Sequence, residues 1–163
     1  MTEDKFPRFS GVDFISKDAF PIENSPTRKR LTEDGKIVDF VRKLGSELLF
    51  VEVKSSFPNP NNTETPESFS KEIAAICDKF TVSLKIFSAI KVGVTEDILP
   101  DALSYADKVK VTLAVVICKF EKEEWCVPIK NALLRNLPDE IIKLWMPTIK
   151  VYTIAAAKEF TLI

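Results

Sequence analysis

The sequence predicts an α/β protein in which a mixed central β-sheet is flanked by helices, and three observations lead there. The β-branched run "VKVTLAVVICKF", residues 109–120, is too continuous to be half-solvated and reads as a central strand buried on both faces. Two shorter apolar runs, about 36–43 and 47–55, meet at Gly45-Ser46, a dipeptide suited to a tight hairpin turn with glycine first. Between them and the central strand, Phe69, Ile73, Ile76 or Cys77, Phe80, Leu84 and Phe87 recur at spacings of three and four, the period of a helix with one apolar face.

Residues 1–30 contain Pro7, Pro21 and Pro26 and no sustained helical period, so they read as an irregular lead-in with room for one short strand or helical turn. That lead-in ends in a small basic cluster, "TRKRL". The hairpin follows, then the loop "FPNPNNTETP", where Thr65 supplies an N-cap and Pro66 a first helical position for the long helix that Gly93 stops. After the central strand, "PIKNALLRNL" and "PDEIIKLW" read as two short helices divided by Pro138, and "TIKVYTIAAA", residues 148–157, as a closing strand. No repeat, linker or low-complexity segment interrupts the chain, so residues 1–163 are expected to form one domain with its core over 36–157.

Composition excludes much chemistry. The absence of histidine removes Ser/His and Cys/His nucleophile systems, haem attachment and histidine-ligated zinc together. Cys77, Cys118 and Cys126 form no CxxC pair and leave an odd thiol, which fits a reducing cytoplasm better than a disulfide framework. The N-terminus lacks a charged-then-apolar signal, and no apolar run approaches the roughly 20 residues that span a bilayer, so a soluble cytoplasmic protein without a membrane partner is expected. With a formal charge of -1, contact with a polyanion would have to rest on a local basic patch or a bound cation.

The hairpin carries the candidate chemistry. With Gly45 and Ser46 as the loop, Leu44 pairs with Glu47 and Val41 with Phe50, which places Asp39 opposite Glu52 with Lys54 on their face. Val38, Phe40, Leu49, Val51 and Val53 then form an apolar face for the long helix to cover. Directly opposed like charges destabilise a sheet. A raised pKa on one acid, a salt bridge to Lys54 or a divalent cation between the carboxylates would each offset that repulsion.

Asp39 on one strand, Glu52-Val53-Lys54 on the next, then a long helix and further strands: this arrangement resembles the core of the restriction-endonuclease-like, or PD-(D/E)XK, nuclease superfamily over about residues 36–120. The resemblance implies that Asp39 and Glu52 bind Mg²⁺ or Mn²⁺, with the Val53 backbone carbonyl as a further ligand and Lys54 orienting or polarising the attacking water. Valine replaces the proline that commonly precedes the first acid. Glu23 is the nearest substitute for the acid that family members carry on an initial helix, and Lys71 falls where the family places another polar residue.

The implied activity is metal-dependent endonucleolytic hydrolysis of phosphodiester bonds in DNA, or else RNA, with Arg28, Lys29 and Arg30 approaching the backbone. A nuclease this small would draw its specificity from a homodimer, a partner protein or the structure of its substrate. The alternative is a catalytically inactive module of the same fold serving as a protein-binding or assembly subunit. Tyr105, Trp125 and Trp145 read as core or edge aromatics, or as surfaces on which bases stack.

Overall fold

A computed structural model of the chain describes residues 6–31, 36–61, 66–104, 108–120, 122–160 and 162–163. Thr65, the expected N-cap, and Tyr105 lie outside the described residues. Five strands form one mixed sheet in chain order: β1 Ala19–Phe20, β2 Phe40–Leu44, β3 Glu47–Lys54, β4 Lys110–Ile117 and β5 Thr148–Thr153. The first three pair antiparallel, whereas β3–β4 and β4–β5 are parallel. Among the described residues, no helix is long and apolar enough to cross a membrane.

The β2–β3 turn follows from its glycine. Gly45 has φ +61, a conformation that costs a residue with a Cβ atom, and it brings Leu44 opposite Glu47 and Val41 opposite Phe50 as the turn chemistry predicts. The long helix α2, Pro66–Val92, begins on its proline and ends before Gly93, whose φ of +88 cannot continue a helix. The helices α4, Cys126–Asn136, and α5, Asp139–Trp145, are divided at Leu137-Pro138 as expected. Three free cysteines remain, of which Cys77 is buried and Cys118 and Cys126 are half-buried.

Alternation along the strands sorts the core into two layers. Leu48 and Phe50 of β3, with Val111, Leu113, Val115 and Ile117 of β4, face α2 and α4, where Phe80 and Phe87 pack edge-on against the Phe50 ring at 5.6 Å. Phe40, Leu49, Val51, Val53, Ala114 and Val116 face the other way, onto Phe9 and Phe14 of the lead-in and Ala157 of the last helix, α6, Ile154–Glu159.

Four expectations need correction. The apolar face of Phe40, Leu49, Val51 and Val53 is covered by the lead-in phenylalanines, and α2 lies on the opposite face, the one that carries Glu52. The lead-in is more ordered than its prolines suggest: besides β1 it holds a 3₁₀ turn, Ile22–Asn24, and α1, Pro26–Arg30, which carries the basic cluster. Ser25 caps that helix by accepting the Arg28 N–H at 3.1 Å, with proline at the first position. The closing strand stops at Thr153, because its hydroxyl accepts the Ala156 N–H at 3.2 Å and turns the alanine run into α6.

Finally, regular β2–β3 pairing ends at Phe40, one residue short of Asp39. The Asp39 N–H donates to the Val51 carbonyl at 3.0 Å, although Val51 is already the partner of Phe40. Two residues opposing one is the pattern of a β-bulge. Val38 and Phe40 accordingly fall on opposite faces of the sheet, where unbroken alternation would have put them on one.

Phe50 is fully buried at the centre of the helix-covered layer. Phe50→Ala should therefore lower unfolding stability by about 3–5 kcal/mol in urea titrations. A loss under about 1 kcal/mol would mean that this layer is not the packed core.

Candidate active site

The bulge and the C-terminal end of β3 bring the acids together. The bend at Asp39 turns its carboxylate onto the neighbouring strand, where Oδ2 accepts the Val53 N–H at 2.7 Å. Glu52 continues the Leu48–Phe50 face and is 2% exposed, pressed beneath α2. Glu23, from the 3₁₀ turn that the buried Ile22 anchors, reaches the same place, close enough for its charge to act on the Asp39 carboxyl.

Two lysines answer the negative charge. Lys79 of α2 donates to Glu52 Oε1 at 2.6 Å, and Lys54 stands 3.7 Å from the same oxygen while pairing with Glu72 of α2. The second oxygen of Glu52, Oε2, is buried and has no hydrogen-bond partner. A buried carboxylate oxygen left bare is costly, and such an atom usually marks a place where a cation, a water molecule or a substrate belongs.

The charge balance is strained toward the neutral acids. Burial and then the Glu52 charge push the Asp39 carboxyl up to about 8, against the opposing pull of the Val53 N–H. Burial also raises Glu52, although Lys79 and Lys54 resist it. Burial alone would lower Lys79, but the attraction of Glu52, and beyond it Asp39 and Glu23, leaves it raised. Four carboxyl groups, Glu23, Asp39, Glu52 and Glu72, therefore stand against two ammonium groups.

Of the residues singled out from the sequence, Asp39, Glu52, Lys54 and Glu23 come together here, and Val53 contributes its N–H. Arg28, Lys29 and Arg30 lie on α1, which begins three residues after Glu23. Lys71 is exposed on α2, and the lysine that reaches Glu52 is instead Lys79, two turns farther along. A sequence signal for it exists: Glu72, Ile76, Lys79 and Ser83 follow one another at spacings of four, three and four, so polar groups sit on the stripe that Ile76 shows to be buried. Trp125 stacks edge-on with Phe120 and lies under Lys122, and Trp145 packs against the helix-side core, so both aromatics are engaged within the fold.

Comparisons with protein-family models, with curated proteins and with solved structures give no match to this chain. Among the described residues, no three Asp, Glu, Cys or His side chains are already arranged as a cation cage. The donor set nevertheless suits a hard divalent ion, since Mg²⁺ is commonly held by one or two carboxylates and keeps several waters.

The raised Asp39 carboxyl has a consequence for stability. The folded protein retains a proton that the unfolded chain releases near 3.8, so this group's stabilisation is complete below that pH and is lost as pH rises toward about 8. In chelator, urea midpoints of the parent should fall between about pH 5 and pH 8 more steeply than those of Asp39→Asn. Parallel pH profiles for the two proteins would show that Asp39 titrates as an ordinary carboxylate.

Proposed function

We propose that the chain is a restriction-endonuclease-like, metal-dependent nuclease that hydrolyses phosphodiester bonds of DNA. Asp39 and Glu52 are its ligands for Mg²⁺ or Mn²⁺, and Lys54 is the catalytic ammonium. The observation that carries this reading is Glu52 Oε2, buried and without a partner beside an Asp39 carboxyl that burial and neighbouring acids hold partly un-ionised. The acids outnumber the ammonium groups around them, which leaves hard oxygen donors for a divalent cation.

A Mg²⁺ ion bound there would activate water and neutralise the charge that develops on the phosphodiester. The chain's own groups have separate tasks. Asp39 and Glu52 supply hard oxygens from two adjacent strands, and the Val53 N–H fixes the angle of Asp39. Lys54, held between Glu72 and Glu52, is the compact positive charge that can turn toward a phosphate oxygen. Arg28, Lys29 and Arg30 give the phosphate backbone a local basic surface on a chain whose overall charge would repel it. Specificity would come from a second copy, a partner protein or the shape of the substrate.

One observation favours the alternative, an inactive module of this fold acting as an assembly subunit: Lys79 and Lys54 pair with Glu52 and Glu72 and so offset part of the acid charge themselves. Titration calorimetry with Mg²⁺ and Mn²⁺, beside a plasmid-cleavage assay, separates the two. The parent is expected to bind the metal and cut DNA, and the double variant Asp39→Ala/Glu52→Ala to lose both. Metal binding without cleavage would support the inactive module. No metal binding by a folded parent would overturn the nuclease reading.

A further inference from the structure

Helix α2 grips the two acid-bearing strands separately. Lys79 holds β3 through Glu52 Oε1 at 2.6 Å. One turn on, the Ser83 hydroxyl accepts the Val38 N–H at 2.9 Å and donates to the Lys79 carbonyl at 2.6 Å. Ser83 is fully buried, and Val38 immediately precedes Asp39. A single hydroxyl therefore ties the bulged strand to the helical turn that carries Lys79. Neither contact satisfies Glu52 Oε2.

Resting on the metal-dependent reading above, we propose that Lys79 and Ser83 are positioning residues for the cation site. Lys79 fixes Glu52 by one oxygen and leaves the other for the ion, and Ser83 holds the backbone next to Asp39 through the Val38 N–H. Lys54 is not equivalent to Lys79: it is farther from Glu52 and pairs with Glu72, which leaves the close contact with Glu52 Oε1 to Lys79. The division gives the two lysines different signatures. Loss of a group that orients a ligand typically weakens metal binding by about 10–100-fold, whereas loss of an ammonium that acts on substrate leaves metal binding largely intact.

The test titrates Mn²⁺ alone into the full chain by calorimetry and then measures plasmid cleavage against Mn²⁺ concentration. Lys79→Met should weaken binding by about 10–100-fold, and its cleavage should recover as Mn²⁺ is raised. Lys79→Arg should restore most of the affinity by keeping a cationic donor at Oε1. Lys54→Met should bind Mn²⁺ within about 2-fold of the parent yet fail to cut at any concentration. Ser83→Ala should weaken binding in the same sense as Lys79→Met, with circular dichroism confirming the fold.

Unchanged or tighter binding by folded Lys79→Met would overturn the proposal, because it would make Lys79 a bystander or a competitor for the carboxylate. If Lys79→Met does not fold, Lys79→Gln takes its place, and parental affinity in that variant overturns the proposal equally. A parent that binds no Mn²⁺ overturns the metal site itself, and with it this role for α2. Binding by the parent with no dependence on residue 79 overturns only the role.

Discussion

Glu52 is a carboxylate almost completely removed from water on an inner strand, and much of the surrounding structure answers that one constraint. A buried charge survives only if it is paired and hydrogen-bonded, or if it gives up its ionisation. Here the pairing comes from α2, which sets Lys79 beside the buried Ile76 and sends Glu72 to Lys54. The helix is therefore more than a cover for the sheet. Its aromatic positions, Phe80 and Phe87, pack on Phe50, and its polar positions compensate the acid two residues farther along the same strand face.

Asp39 shows a different solution to the same problem. Removed from the regular ladder, it exchanges a direct cross-strand encounter with Glu52 for a hydrogen bond from the Val53 N–H. The ladder ends there on one side, where the Val38 N–H goes to Ser83 instead of β3, while the Val41–Phe50 pairing is intact two residues away on the other.

The parts legible in the sequence are those fixed by local rules. Gly45 sets the hairpin register, the three-and-four spacing sets α2, and the β-branched run sets β4. What was not legible depends on contacts between distant segments. Phe6, Phe9 and Phe14 have no period that would mark them as the cover for Phe40, so the faces of the sheet were assigned in reverse. The bulge has no glycine to announce it. The small helix after Ser25-Pro26 and the turn at Thr153 did carry capping signals, which the neighbouring prolines and the β-branched run obscured. The acids and Lys54 were legible as a strand pattern, whereas Lys79 required knowing which face of α2 meets which face of β3.

The topology also bears on when the carboxylates acquire their character during folding. Every charged group of the cluster comes from between Glu23 and Lys79, and the β2–β3 hairpin that carries three of them is joined by a two-residue turn. By contrast, β3 meets its parallel partner β4 only after the chain has passed through all of α2 and α3, Asp101–Ser104. Closing so long a connection costs chain entropy before any contact repays it, so non-local parallel pairing is kinetically the slower event. A chain whose hairpin has formed but whose β4 has not yet docked leaves that flank of β3 open to water. The burial of β3 is thus completed on that side by a segment that contributes none of the charged groups, while α2 covers the face that carries Glu52.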